Sequence, residues 1–241
     1  MVIVMTTRRP HDVSYLAGTL CSIGNIGKRR KILVSDGPLP TSNEPPWNSG
    51  WQVLQYPWRG ARATGWECFR IALEADVEDL ILLQDDIVVC DGGSQVMDEC
   101  PVPDNCTATM FYSQHGLPGL LRKNPGAARF IVIGASGTGQ AIKLPRRAIE
   151  HLCKQDFHHA PNYIEDSPHR FDDAMFAFAR ESPWPHVAHL VPNIVRHIGA
   201  ISACQSQTVF HQPWSVRRGE RFPGDVKNLP VHEVTYQRPT P

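Results

Sequence analysis

The chain has 241 residues, with Lys+Arg and Asp+Glu both at 24, so its formal net charge is zero. That balance argues against bulk polyanion binding, though not against a local basic groove. Hydrophobic residues at 41% exclude a disordered chain, and no apolar run approaches the roughly 20 residues of a membrane span.

In the opening "MVIVMTTRRP" the charges follow the apolar stretch, unlike a signal peptide. The expectation is a cytoplasmic, soluble protein forming one domain over residues 1–241. Seven cysteines, an odd number in a chain this long, do not make a disulfide framework. Cys90, Cys100 and Cys106 with His115 match no standard zinc pattern, and His151, Cys153, His158 and His159 form a second loose group; both read as reduced buried or surface residues. Of the 21 prolines, fifteen lie at or beyond Pro101, while residues 11–37 and 58–100 contain none. Proline breaks helices and central strands. Regular structure is therefore expected to concentrate in the first hundred residues, with a loop-rich remainder.

"VIVMTT" (2–7) reads as a buried strand. Residues 12–23 place Val13, Leu16, Leu20 and Ile23 at helical spacing, with Asp12 as N-cap and Gly24 as terminator. "KILVSD" (31–36) is a second buried strand, ending in the turn Asp36-Gly37-Pro38. Residues 38–50 read as loop and "WQVLQY" (51–56) as a strand. Residues 62–76 form a helix with Trp66, Phe69 and Leu73 on one stripe. "DLILLQ" (79–84) is a fourth strand, running into Asp85-Asp86. Further on, 129–134, 136–144 and 186–191 hold strands, and 145–154 and 171–180 short helices. The stretch beyond Ser206 reads as a partly irregular tail. This order predicts an α/β sandwich with a central, mostly parallel sheet. Ligands of such sheets bind beyond the carboxyl ends of the strands, where Arg8, Asp36 and Asp85/Asp86 all fall.

Four motifs carry chemistry. Two adjacent carboxylates after a buried strand suit Mg²⁺ or Mn²⁺ bridging nucleotide phosphates, or else they cap a turn. His197, in "PNIVRHIGAIS", has the imidazole of a transition-metal ligand, or is an ordinary packed histidine. Asp172 and Asp173, in "RFDDAMFAFA", stand where a helix begins: they cap it, or one of them is a general base toward an acceptor hydroxyl. Gly137-Thr138-Gly139 is a turn whose backbone can approach a ligand closely. Neither a Walker loop nor a GxGxxG after the first strand is present.

Taken in order, "TTRR", "VSDGP", "ALEA" before "LILLQDDIVV", "GTGQAIKLPRRAI", "FDDAMF" and "PNIVRHIGAIS" resemble nucleotide-sugar glycosyltransferases of the GT-A (Rossmann-like α/β/α) fold. The last segment is similar to the N-acetylglucosaminyltransferase IV group. The acidic strand end is shared more loosely with procollagen galactosyltransferases. The resemblance spans roughly residues 2–205 and implies a nucleotide-sugar-binding half (1–100), an acceptor and catalytic half (101–205) and a C-terminal tail (206–241).

It further implies roles. Asp86 would bind Mn²⁺ or Mg²⁺, with Asp85 assisting through metal or ribose and His197 completing the shell. Asp36 would meet the base or ribose, Arg8 and Arg62 would lie near the nucleotide, and Gly137, Thr138 and Gly139 would line the donor pocket. Asp173 or Asp172 would be the base of an inverting transfer from a UDP-sugar. Gln84 stands where relatives often carry an acidic residue. The implied acceptor is a saccharide or a 5-hydroxymethylated pyrimidine in DNA, as in compact phage-type glucosyltransferases. Basic clusters at Lys28–Lys31, Arg122/Lys123, Arg146/Arg147 and Arg217/Arg218/Arg221 would form a groove for DNA phosphates, or are solvated surface charges. Two other readings stand beside this one: a degenerate sugar-nucleotide-binding module, and a nucleotidyltransferase.

Overall fold

A computed structural model describes residues 1–7, 13–39, 50–104, 106–110, 128–132, 140–154, 186–198, 222 and 225–233. In chain order its elements are β1 (Val2–Thr6), α1 (Val13–Ile23), β2 (Lys31–Asp36), β3 (Gln52–Tyr56), α2 (Ala61–Glu74), β4 (Asp79–Gln84) and β5 (Ile87–Val89). There follow α3 (Gly93–Glu99), β6 (Cys106–Thr109), β7 (Arg129–Val132), β8 (Ala141–Pro145) and α4 (Arg146–Lys154). The chain continues with β9 (His186–Val191), β10 (Val195–His197), a 3-10 turn (Val226–Asn228) and β11 (Val231–Glu233).

The main sheet has nine described strands in the order β11-β7-β9-β6-β8-β4-β1-β2-β3. The β4-β1-β2-β3 half is parallel throughout, with Val4 opposite Leu33 on one side and Leu83 on the other. Beyond β4 the sheet becomes mixed: β8 runs antiparallel to both β4 and β6, while β6 and β9 are parallel. β5 and β10 form a separate antiparallel ribbon.

Burial on both faces explains the continuous apolar strands. Side chains alternate along a strand, so each strand supplies two cores. Val2, Val4, Leu33, Ile81 and Leu83 face one layer, where Leu16, Leu20 and Ile23 of α1 and Val96 and Met97 of α3 pack. Ile3, Met5, Ile32, Val34, Leu80 and Leu82 face the other, against Cys68, Phe69 and Ala72 of α2 and Ala148, Ile149 and Leu152 of α4. The result is the expected three-layer α/β/α sandwich with a mostly parallel sheet. Among the described residues no helix is long and apolar enough to cross a membrane.

Regular structure is not confined to the first hundred residues. Five of the nine sheet strands (β6, β7, β8, β9 and β11) follow Pro101. The prolines beside the described strands sit where they do no harm to the ladders. Pro101 and Pro103 precede β6, Pro145 ends β8, Pro192 separates β9 from β10 and Pro230 precedes β11. In the tail, β11 adds an edge strand parallel to β7.

At the amino end of β4 lies a charge network. Arg29 is paired with Asp79, and its Nε donates to Asp98 Oδ1 at 2.5 Å. Lys143, 3% exposed, lies 3.4 Å from Asp79 Oδ2. Its Nζ also donates to the carbonyls of Met97, Asp98 and Cys100 at 2.9, 3.0 and 2.9 Å. A cation is favoured at the carbonyl end of a helix, here α3. Burial alone would raise the Asp79 pKa, but the Arg29 hydrogen bond and the charges of Lys143 and Arg29 bring it below the ordinary value.

A carboxylate with a depressed folded pKa stabilises the fold above its unfolded pKa, and that stability is lost as pH falls through the folded value. Unfolding free energy should therefore decline below about pH 4, the unfolded Asp value. Denaturant titrations across the acid range should show a shallower decline in Asp79→Asn. Phe69 is fully buried. Phe69→Ala should cost about 3–5 kcal/mol in the same assay, the usual range for a core aromatic.

Candidate functional site

The carboxyl end of β4 places two buried carboxylates in one turn: Asp85 is 5% exposed and Asp86 7%. Three separate elements engage this turn. The first is β1, whose last residue, Thr6, donates its hydroxyl to Asp85 Oδ2 at 2.5 Å. The second is α1. Thr19, fully buried, has its hydroxyl 2.7 Å from the carbonyl oxygens of both Asp85 and Ile87, and its one proton serves one of them at a time. The same oxygen accepts from Ile87 N–H at 3.2 Å. One helical turn on, Ser22 Oγ accepts from Val89 N–H at 3.0 Å. The helix thus grips the backbone of β5 at alternate residues.

The third element is β10. Its antiparallel pairing sets His197 opposite Ile87. Cys90 N–H donates to Ile194 O and Ile198 N–H to Asp86 O, both at 2.8 Å, so the ladder extends beyond the strands at both ends. This register brings His197 Nε2 to 2.9 Å from Asp86 Oδ2. The two side chains are 5% and 9% exposed. With its proton on Nε2 the ring donates to the carboxylate; without it, the same nitrogen is a metal ligand. Gly93 lets α3 approach this ribbon, since a Cβ there would lie 2.8 Å from Val89 Cγ1 and 3.2 Å from Ile194 O.

Asp36 ends β2, two strands from Asp85 in the order β4-β1-β2. It is 1% exposed. Its Oδ1 accepts from Arg59 N–H at 2.7 Å and its Oδ2 from Gly60 N–H at 2.8 Å, immediately before α2. Arg62 follows in the first turn of that helix. Its Nε and Nη2 are buried and make no hydrogen bond among the described residues.

Of the residues singled out in the sequence, the fold brings Asp86 and His197 into contact, with Asp85 beside them, while Asp36 and Arg62 share the α2 entrance. Arg8, Gly137, Thr138, Gly139, Asp172 and Asp173 lie outside the described residues. No group of three or more His, Cys, Asp or Glu side chains poised to hold a metal occurs among the described residues. The pair by itself fits a hard divalent ion of the Mg²⁺ or Mn²⁺ kind. Such ions take one or two protein ligands and complete their shell with water and substrate phosphates, and imidazole extends the set toward transition metals.

Sequence reading missed Thr6, Thr19 and Ser22. Thr19 did leave a signal, as a polar residue on the buried stripe that carries Leu16, Leu20 and Ile23. Several described basic residues have partners within the chain. Arg29 pairs with Asp79 and Asp98, Arg30 Nη2 donates to Gln52 Oε1 at 2.5 Å, and Lys31 lies 5.6 Å over the Trp51 ring. Arg146 pairs with Asp76 and Glu150.

No protein-family model matches the sequence, and no curated protein matches it. Among solved structures the chain is similar to the galactosyltransferase LgtC in complex with donor and acceptor sugar analogues. Identity is 13% over 73% of this chain and 70% of that one, with a TM-score of 0.45. It is also similar to an active-site mutant of LgtC, at 12% identity over 92% of this chain and 88% of that one, with a TM-score of 0.47. A third similar structure is the mannosyltransferase PcManGT from Pyrobaculum calidifontis in complex with GDP-Man and Mn²⁺. There identity is 14% over 63% of this chain and 46% of that one, with a TM-score of 0.42.

Thr19→Val keeps the shape of the side chain but strips the hydroxyl from the β5 backbone. A buried group left without its partner costs about 1–3 kcal/mol. Equilibrium denaturation should show a loss of that size, and a Thr19→Ser variant should recover most of it.

Proposed function

We propose that this chain is a GT-A-type glycosyltransferase that moves a sugar from a nucleotide-sugar, of the UDP class, to an acceptor hydroxyl with the help of Mn²⁺ or Mg²⁺. The observation that carries the reading is the Asp86–His197 contact, 2.9 Å long, at the carboxyl end of a strand in an open α/β sheet. A buried carboxylate and imidazole held together by an antiparallel ribbon form a preset pair of oxygen and nitrogen ligands.

The chain's own residues divide the work. Asp86 and His197 would hold the ion, and Thr6 fixes the neighbouring Asp85 so that its carboxylate faces the β1 end. Arg62 offers buried N–H groups, and the nucleotide's anionic part is the natural acceptor for them. Arg8, Gly137, Thr138 and Gly139 belong to the same donor pocket in this reading. Asp173 or Asp172 takes the proton from the attacking hydroxyl, and a single displacement then inverts the anomeric configuration. When bound, a divalent ion supplies Lewis-acid stabilisation of the departing diphosphate. The proposed acceptor is a saccharide hydroxyl.

The test is a screen of nucleotide-sugars for thermal stabilisation with and without Mn²⁺. A binder at 100 times its Kd adds about 2.7 kcal/mol to stability. A Mn²⁺-dependent shift with a UDP-sugar is expected in the wild-type protein and not in Asp86→Ala. Sugar transfer should vanish in EDTA and return with Mn²⁺. Full transfer by Asp86→Ala, or unchanged turnover in EDTA, would refute the assignment.

A further inference from the structure

The loop between β3 and α2 presents an aromatic ring that the site described so far does not use. Trp58 is 48% exposed, although it is the bulkiest apolar side chain in that loop. Single exposed hydrophobics are ordinary on a protein surface. This one is unusual because its loop is fixed and its seat is built for it.

Two sets of bonds hold the loop. Downstream of the ring, the Asp36 carboxylate accepts from the backbone N–H groups of both Arg59 and Gly60. Upstream, Gly37 N–H donates to Tyr56 O at 2.9 Å, tying the end of β2 to the end of β3. The Ser35 hydroxyl donates to Gly37 O at 2.8 Å and fixes the turn itself. Arg59 adds a stack on the Tyr56 ring, 4.1 Å from its centroid.

The seat is Gly37. Its φ of +107° lies in the region that side chains rarely adopt. A Cβ there would fall 2.3, 2.5 and 2.8 Å from Cε2, Cζ2 and Cδ2 of Trp58, so the middle of the indole rests directly on the glycine. Burying one side of the ring against backbone while nearly half of the residue stays open leaves a rigid aromatic surface toward solvent.

Its position gives that surface a ligand. Gly37 follows β2, and Asp85 follows β4, with β1 alone between those strands. Two strand spacings put the two points roughly 10 Å apart along the carboxyl edge of the sheet. That separation suits a nucleoside diphosphate with its phosphates at the metal pair and its base at the other end.

We infer that the indole of Trp58 is the stacking surface for the donor's nucleobase, and that Asp36 is a positioning residue that holds the ring in place. The inference rests on the nucleotide-binding reading of the crevice and adds the residue that meets the base. It also gives the Asp36 carboxylate a role through the backbone of the loop.

The test compares UDP with inorganic pyrophosphate, each with Mn²⁺, by calorimetry on the full chain. Base–aromatic stacking contributes about 1–3 kcal/mol per base. Trp58→Ala should therefore weaken UDP binding about 5-fold or more, at 1.4 kcal/mol per factor of ten, and leave pyrophosphate unchanged. Trp58→Phe should retain most of the UDP affinity, and Asp36→Asn should weaken UDP without affecting pyrophosphate. Equal UDP binding by wild type and Trp58→Ala overturns the stacking role while leaving the glycosyltransferase reading intact. An Asp36→Asn protein with wild-type UDP affinity overturns the positioning role. A wild-type protein that binds neither UDP nor pyrophosphate overturns this inference together with the reading beneath it.

Discussion

An ionised carboxylate removed from water costs on the order of several kcal/mol unless new partners replace its hydration. The turn after β4 buries two carboxyl groups in succession. Partners come from different parts of the chain: Thr6 of β1 and His197 of β10 bond the carboxyl groups, and Thr19 of α1 bonds the backbone of the turn. None of these partners is local to the turn. The geometry of the site is therefore a property of the assembled sandwich and not of the "QDD" segment.

The sheet is chemically polarised by this arrangement. Its carboxyl edge carries the acidic turn, the histidine and the Asp36 clamp. At the amino end of β4, Asp79, Arg29, Lys143 and Asp98 neutralise one another. There the charges are matched within the chain, and the Lys143 ammonium is spent on the carbonyls that end α3. Two ends of one β-strand thus serve opposite purposes. Matched ions lock the layers together at one end, and the other gathers two carboxyl groups and an imidazole.

The strands buried on both faces were legible. β2 and β4 run over the residues expected from their apolar runs, because a strand covered on both sides has no need of polar positions. Helices α1, α2 and α4 begin and end within a residue or two of their expected bounds, because each carries one clear apolar stripe. β5 and β10 were not legible, since three residues are too few to show a period. Helix α3 escaped as well, having only Val96 and Met97 to bury. A proline count by region says nothing of register: those near the described strands fall at their ends. Asp86 and His197 were given a shared ion by the family resemblance, but their contact could not be read from the sequence, since it follows from the β5–β10 register. Thr6 left no signal, because its contact with Asp85 follows from the β1–β4 pairing, and Thr19 showed only as a polar residue on a buried stripe.

The two-stranded ribbon also gives the protein a clock. Asp86 and His197 are 111 residues apart in sequence, yet they touch. Loop closure over such a span is entropically costly and comes late in folding, after local helices and neighbouring strands have formed. During synthesis, the parallel strands β1 to β4 leave the ribosome long before β10 does. For that interval the acidic turn lacks its histidine. The Asp86–His197 contact closes late, when one three-residue strand docks.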